Sequence, residues 1–186
     1  MAQIYVVGHK NPDNDSIMAA YTYANLKNMT DSENTYVPVR LGELPAESAM
    51  LFDEYGIEPP ALIERVGEGD VLVLVDHNEM GQAVDGIEDA EVAEIIDHHR
   101  IADVSTSAPI TFINLPWGST TSIITKLYEY FGIATDEQIA ACLLSAILTD
   151  TVILKSPTAT ETDARHVEKL AKVLDVDPVE FGMRIF

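Results

Sequence analysis

The sequence is poor in basic residues and in cysteine, and each shortage excludes a class of protein. Only 11 Lys and Arg stand against 31 Asp and Glu, which gives a formal net charge of −20 at pH 7. A chain of this charge repels a phosphate backbone, so we expect no nucleic acid partner. The single cysteine, Cys142, excludes an internal disulfide and a cysteine-rich zinc site.

Long apolar runs and targeting signals are also absent. No run is long enough to cross a membrane, and the N-terminus has no basic segment followed by an apolar stretch. We therefore expect a cytoplasmic protein that does not contact membranes. With 186 residues and 47% hydrophobic composition the chain can form one substantial core, and we expect a single domain over residues 1–186.

Short apolar segments alternate along the chain with longer segments of helical spacing. Strands are predicted at residues 3–7, 35–39, 70–76, 92–96 and 110–114. Helices are predicted at residues 17–26, 45–55, 119–131, 136–148, 160–174 and 177–186. This alternation predicts an α/β fold with an open, mainly parallel five-stranded sheet and helices on both faces.

Acidic and imidazole side chains follow three of the predicted strands at the point where each strand ends. Because the carboxyl ends of parallel strands meet at one edge of a sheet, we expect these groups to converge. A single aspartate at such a position often only caps the next helix, but several together favour a ligand site. The residues are His9, Asp13 and Asp15 after the first strand, Asp76 and His77 after the third, and Asp97, His98 and His99 after the fourth.

A further acid, Asp150, ends the apolar run that covers residues 142–148. Burying a carboxylate is costly unless a cation or hydrogen bonds compensate for the lost water. Imidazole and carboxylate ligands without a thiolate favour manganese, cobalt or magnesium over structural zinc. The sequence therefore predicts a divalent metal site at this edge of the sheet.

Four segments, at residues 8–16, 75–79, 97–100 and 149–151, resemble in order and spacing the four motifs of the DHH phosphoesterases. Within that superfamily the chain resembles the N-terminal domain of a family II, manganese-dependent inorganic pyrophosphatase. The discriminating pieces are Asp-His-Asn-Glu at residues 76–79 and Lys-Ser-Pro-Thr at residues 155–158. Each motif alone is a weak signal, whereas all four in order are specific.

The resemblance implies a site for two Mn²⁺ ions, with Co²⁺ or Mg²⁺ as alternatives. A hydroxide between the two metals would attack pyrophosphate and release two phosphates. His9 and Asp13 would hold the first metal, Asp15, His98 and Asp150 would hold the second, and Asp76 would bridge both.

Three further residues receive roles from the same resemblance. His99 would contact the substrate, as a phosphate ligand or as a proton donor to the leaving phosphate. Asp97 would accept a hydrogen bond that orients a ligand imidazole. Lys10 is either a phosphate contact or a solvated lysine.

Full-length members of that family have a C-terminal domain that brings lysines and an arginine over the substrate. No segment of that type occurs in this sequence, so we expect a chain cut from a longer one and weak hydrolysis without the missing domain. The resemblance also implies a homodimer that forms through the N-terminal domains.

Two other functions remain open. The first is a phosphodiesterase that acts on short oligonucleotides or cyclic dinucleotides, which the Asp-His-Asn-Glu motif and the shortage of basic and aromatic surface residues disfavour. The second is a metal-binding module without turnover, which the complete set of expected ligands disfavours.

Two features outside the motifs are assigned structural roles. His166 lies among charged residues of a predicted helix, and we expect a solvated surface side chain. The Gly-Ser-Thr-Thr segment at residues 118–121 is typical of a helix N-terminus, where free amides either only receive a capping side chain or also bind an anion.

Overall fold

The structure is a computed structural model that describes residues 2–186, and within this range the chain forms six strands and six α-helices. The strands are β1 (Gln3–Val7), β2 (Thr35–Arg40), β3 (Ala61–Leu62), β4 (Val71–Val75), β5 (Glu91–Asp97) and β6 (Thr111–Asn114). The helices are α1 (Asn14–Thr30), α2 (Ala46–Glu54), α3 (Thr120–Tyr130), α4 (Glu137–Asp150), α5 (Glu161–Leu174) and α6 (Pro178–Ile185).

All six strands form one parallel sheet in the order β3-β2-β1-β4-β5-β6. The predicted parallel α/β fold is confirmed, but the prediction of five strands missed β3. That strand has only two residues, Ala61 and Leu62, and both are exposed. A strand of this length has no alternation to detect, and it forms only because the end of β2 offers it a partner.

The six α-helices pack on one face of the sheet, so the prediction of helices on both faces is wrong. Their buried apolar residues share one core with Val6, Val73, Val75 and Ile96 of the strands. The opposite face, which includes Val7, is covered by loops and two short 3₁₀ turns instead of α-helices. The connection from β4 to β5 contains only the 3₁₀ turns at Met80–Gln82 and Ile87–Asp89.

Hydrogen-bonding side chains begin five of the six helices. Asp13 caps α1 and accepts from the Ser16 amide. Ser119 caps α3 in the same way, through the Ser122 amide. Within residues 2–186 no helix combines the length and the apolar character that crossing a bilayer requires.

The strand order reverses next to β1, which places a crevice at one edge of the sheet. From β1 the chain continues through α1 to β2 on one side, whereas β4 lies on the other side. In doubly wound sheets ligands bind at such a switch point, outside the carboxyl ends of the strands. The loops after β1, β4 and β5 therefore open into the same crevice.

Candidate metal centre

Two separate groups of carboxylate and imidazole side chains lie in the crevice, and a third group, Asp76, His98 and His99, overlaps both. Within each group, one ligand atom from each residue lies within 4.8 Å of the others. The structure thus brings together all six side chains that the sequence assigns to metal. The two separate groups are His9, Asp13 and Asp76, and Asp15, His98 and Asp150.

The first group is organised around the ring of His9. Its Nδ1 lies 2.8 Å from the carbonyl oxygen of Lys10, and because a carbonyl only accepts, Nδ1 carries a proton. The other nitrogen, Nε2, lies 3.5 Å from Asp13 Oδ2 and 3.4 Å from Asp76 Oδ2. Asp13 therefore uses one oxygen to cap α1 and presents the other to the ring.

The second group repeats this arrangement around His98. Its Nδ1 donates to the carbonyl of Trp117 at 2.9 Å, and its Nε2 lies 3.4 Å from Asp76 Oδ1 and 3.5 Å from Asp150 Oδ2. His98 Nε2 is buried and has no hydrogen-bond partner among the described residues. Asp76 thus stands between the two groups, with one oxygen toward each ring.

Asp15 is fully buried and is held by the first residues of α3. Its carboxylate accepts from the Thr120 amide at 2.7 Å, the Thr121 amide at 3.1 Å and the Thr121 hydroxyl at 2.6 Å. The helix N-terminus at residues 118–121 is therefore capped by Ser119, and its free amides also bind a carboxyl group. That carboxyl group belongs to a side chain of the same protein.

Two of the carboxylates are held in an environment that opposes their negative charge. Burial, together with the charge of Asp76, raises the pKa of Asp15 to about 8. Burial, together with the charges of Asp15 and Asp76, raises the pKa of Asp150 to about 9. Asp150 is also the last residue of α4, where the helix dipole disfavours an anion.

The two imidazoles respond in the opposite sense. Burial disfavours the charged ring of His9, but its contacts with Asp13 and Asp76 outweigh burial and raise its pKa to about 11. Burial is likewise outweighed at His98, where Asp76 and Asp15 raise the pKa to about 10. Burial opposes ionisation of Asp76 as well, yet the rings of His9 and His98 lower its pKa. The raised pKa values of these carboxylates and imidazoles indicate that the cluster favours bound protons or other positive charge.

The donor set fits divalent metal ions. Two ligand atoms that each lie about 2.1 Å from one ion are separated by roughly 3.0–3.4 Å, which is close to the ring-to-carboxylate distances found here. Each imidazole is oriented by a carbonyl behind it, the usual arrangement at metal-binding histidines. Nitrogen and carboxylate oxygen without sulfur suit manganese, cobalt and magnesium.

Asp97 supports a different imidazole from the one expected. It was predicted to orient a ligand ring, but Trp117 orients His98, and Asp97 Oδ1 accepts from Nδ1 of His99 at 2.8 Å. The same oxygen accepts from the backbone amides of both histidines. This contact with Asp97 raises the pKa of His99, whose side chain is 52% exposed.

Asn78 joins the loops that follow β4 and β5. Its side-chain amide donates to Asp97 Oδ2 and to the carbonyl of Arg100, and its oxygen accepts from the Ala102 amide. These bonds hold the loop that carries His99, and Asn78 also lines the cavity in front of the centre.

A cavity of about 290 Å³ opens in front of the centre. Its walls include His9, Asp76, His99 and Arg100. Lys10, a predicted substrate contact, is not part of these walls and instead forms an ion pair with Asp85. Among the described residues, Arg100 is therefore the one arginine or lysine that lines the cavity.

The prediction of a solvated His166 is wrong, because the side chain is only 4% exposed. Its Nδ1 lies 2.8 Å from the Ser122 hydroxyl, and its ring packs edge-on against Trp117. The charged neighbours in sequence point to solvent from the other faces of α5, which is why the local pattern was misleading. Sequence reasoning also missed Trp117 and Asp163, whose roles depend on distant contacts.

The fold and the site define a class: a parallel α/β protein with a candidate metal centre at the switch point of its sheet. A family model described as "DHH family, N-terminal domain" matches residues 3–147. The chain belongs to the DHH family.

Individual relatives agree with this membership. The chain is 47% identical over 182 residues to the "Manganese-dependent inorganic pyrophosphatase" of Methanothrix thermoacetophila, covering 98% of this chain and 58% of the relative. The crystal structure of a Methanococcus jannaschii "putative family II inorganic pyrophosphatase" aligns with a TM-score of 0.89 and 38% identity, over 98% of this chain and 60% of that one.

A more distant structure shares the fold alone. An exopolyphosphatase-related protein from Bacteroides fragilis aligns with a TM-score of 0.76 at 18% identity, over 99% of this chain and 56% of that one. The chain thus spans less than two thirds of the length of each of these three proteins, from 56% to 60%.

Proposed function

We propose that this chain is the metal-binding catalytic part of an inorganic pyrophosphatase, which hydrolyses pyrophosphate to two phosphates. The observation that carries the proposal is the position of Asp76 between two imidazole–carboxylate groups, one oxygen toward each. A shared carboxylate of this kind suits a pair of metal ions. We choose pyrophosphate as the proposed substrate because the relatives described above are named as pyrophosphatases.

In this proposal His9 and Asp13 hold one metal ion, Asp15, His98 and Asp150 hold the other, and Asp76 contacts both. Manganese is the proposed metal because it is named for a relative, and cobalt and magnesium prefer the same ligands. Ions held by these residues would neutralise charge on phosphoryl oxygens and would lower the pKa of the water used for hydrolysis.

His99 is the proposed proton donor to the leaving phosphate. Its Nδ1 is engaged by Asp97, which leaves Nε2 for a substrate oxygen. The hydrogen bond to Asp97 raises the pKa of His99 and so favours the protonated ring near neutral pH. Half of the side chain is exposed, and it lines the cavity in which a substrate would lie. Asp97 thus positions the donor and keeps it charged.

We also propose that the chain hydrolyses pyrophosphate weakly by itself. Pyrophosphate carries charge at both ends, whereas Arg100 is the one arginine or lysine among the described residues of the cavity wall. Cationic groups that surround the developing charge and exclude water contribute strongly to phosphoryl transfer. We assign those groups to the additional length of the relatives, and phosphate release should increase when a C-terminal domain from such a relative is added in trans.

A homodimer is the proposed assembly. β6 lies at an edge of the sheet, where unpaired backbone groups can accept another strand, and its Phe112 side chain is partly exposed. Sedimentation at micromolar concentration should show a dimer, and Phe112→Lys should weaken it; a monomer in both proteins would contradict this assembly. We place the protein in the cytoplasm, where the buried free thiol of Cys142 stays reduced.

The test is phosphate release from pyrophosphate with and without manganese, in the wild-type protein and in Asp76→Asn. Because Asp76 belongs to both groups, the substitution should abolish manganese-dependent release. Asp53→Asn on exposed α2 makes the same change of charge and should have no effect.

Other results would favour other functions. Faster cleavage of a dinucleotide than of pyrophosphate would indicate a phosphodiesterase. Manganese binding without turnover of either substrate, even with the added domain, would indicate a non-catalytic metal-binding module.

A further inference from the structure

The segment at residues 117–121, which joins β6 to the first turn of α3, contacts three of the six candidate ligands. The Trp117 carbonyl orients His98, and the two threonines at its end bind Asp15. The Thr120 hydroxyl also donates to Asp76 Oδ1 at 2.9 Å. By contrast, His9 and Asp13 are oriented by Lys10 and Ser16, which lie outside this segment.

Asp163, in the first turn of α5, anchors this segment. The Gly118 amide donates to Asp163 Oδ2 at 2.9 Å, across 45 residues of sequence. The same oxygen accepts from the amide and the hydroxyl of Thr160, so that one buried carboxylate joins α5 to the loop. Charge-assisted bonds of this kind are stronger than neutral ones, and breaking one leaves a buried amide without a partner.

Gly118 is required for the close approach at this junction. A Cβ there would lie 2.4 Å from Cγ2 of Thr151 and 2.8 Å from Asp163 Oδ2. Thr151 directly follows Asp150, the third residue of the second group. The contact between Gly118 and Asp163 therefore lies in the segment that orients His98 and Asp15. It also lies next to Thr151, the neighbour of Asp150.

We propose that Asp163 is a positioning residue for the second metal group: by holding Gly118 it fixes the segment that orients His98 and Asp15. This role rests on the proposed metal centre. It predicts that loss of the Asp163 anchor weakens one of two metal-binding events and leaves the other nearly unchanged.

The experiment is a manganese titration of the wild-type protein, Asp163→Ala and Thr160→Ala, followed by the electron paramagnetic resonance signal of free manganese. Both substitutions disrupt the capping box of α5, but only Asp163→Ala releases the Gly118 amide. Asp163→Ala should weaken one class of site about tenfold or more, the lower end of the range for residues that support metal ligands. Thr160→Ala should leave both classes within about twofold.

Trp117 provides a second readout that does not depend on activity. It is the only tryptophan in the sequence, so its fluorescence reports this segment alone. Asp163→Ala should shift the emission to longer wavelength as the indole loses its contact with His166, and Thr160→Ala should not.

A second variant approaches the junction from the other side. Gly118→Ala keeps the Asp163 carboxylate but forces the segment away from it, and the same class of site should weaken. If Asp163→Ala does not fold, the manganese affinity of Gly118→Ala tests the role of Asp163 instead.

The outcomes separate the two proposals. A wild-type protein that binds no manganese would overturn the proposed function and this role with it. Two classes of site in the wild type, with Asp163→Ala or Gly118→Ala indistinguishable from Thr160→Ala, would overturn the role of Asp163 alone.

Discussion

Manganese binding at neutral pH should release protons from the centre. The pKa values of Asp15, Asp150, His98 and His9 are raised to about 8, 9, 10 and 11, so each group holds a proton at pH 7 without metal. Metal ligation requires ionised carboxylates and neutral imidazoles. Filling both groups should therefore displace about two to four protons, because the charge of Asp15 contributes to the raised pKa of His98 and the four groups do not titrate independently. Four protons would carry the same positive charge as two divalent ions.

The sign of the pH dependence follows from the same four groups. The apparent affinity for two ions should rise with pH, by up to about four logarithmic units per pH unit near pH 7, and less steeply once Asp15 ionises. Without metal, the folded state binds more protons than the unfolded state. Its stability should therefore fall as pH rises from the ordinary carboxylate range through the raised pKa values, about 8 for Asp15 and 11 for His9.

The assay is calorimetry at pH 7 in two buffers with different ionisation enthalpies, PIPES and Tris. The difference between the two binding enthalpies gives the number of protons released. Asp53→Asn, with an intact centre, is the matched control and should release as many protons as the wild type. Release of fewer than about two protons for two bound ions would refute the reasoning, because most of the imidazoles would then already be neutral and most of the carboxylates ionised before metal binds.

Three further substitutions test other parts of the structure. Thr121→Val removes the hydroxyl donor 2.6 Å from Asp15, and manganese titration should show about tenfold weaker binding in one class of site. His99→Gln should lower the rate of phosphate release about 10²-fold while manganese binding stays unchanged, as expected for loss of a proton donor. Val152 has a φ of 50° and a half-exposed side chain. Val152→Gly should relieve about 1–2 kcal/mol of strain from the left-handed backbone. The substitution should also cost about 0.5–1 kcal/mol, because glycine loses more backbone entropy on folding. Urea unfolding should show a protein at least as stable as the wild type, whereas Val173→Gly inside α5 should be destabilised.

Local patterns predicted most of the elements. Apolar runs of five to seven residues became β1, β4 and β5 because their side chains are covered on both faces of a parallel sheet. β3 escaped prediction because two exposed residues form a strand only beside β2. The placement of all helices on one face also escaped it, since the residues between β4 and β5 form only loops and 3₁₀ turns.

Contacts between residues apart in sequence decide how the imidazoles are held. Asp97 accepts from His99, two residues later, whereas His98 donates to the carbonyl of Trp117, 19 residues away. His166 has the neighbours of a surface residue, yet it is buried against Ser122, 44 residues away. No local pattern encodes a contact of that separation.

The sequence by itself determined the kind of chemistry available, because carboxylates and imidazoles that directly follow buried strands must meet at one edge of a parallel sheet. Tertiary structure alone decided which oxygen faces which ring. The carbonyls of Lys10 and Trp117 set the orientation of the imidazoles, and the start of α3 holds Asp15. A hydrogen bond depends on distances of a few tenths of an ångström between groups that packing brings together, and that precision arises only when the whole chain has folded.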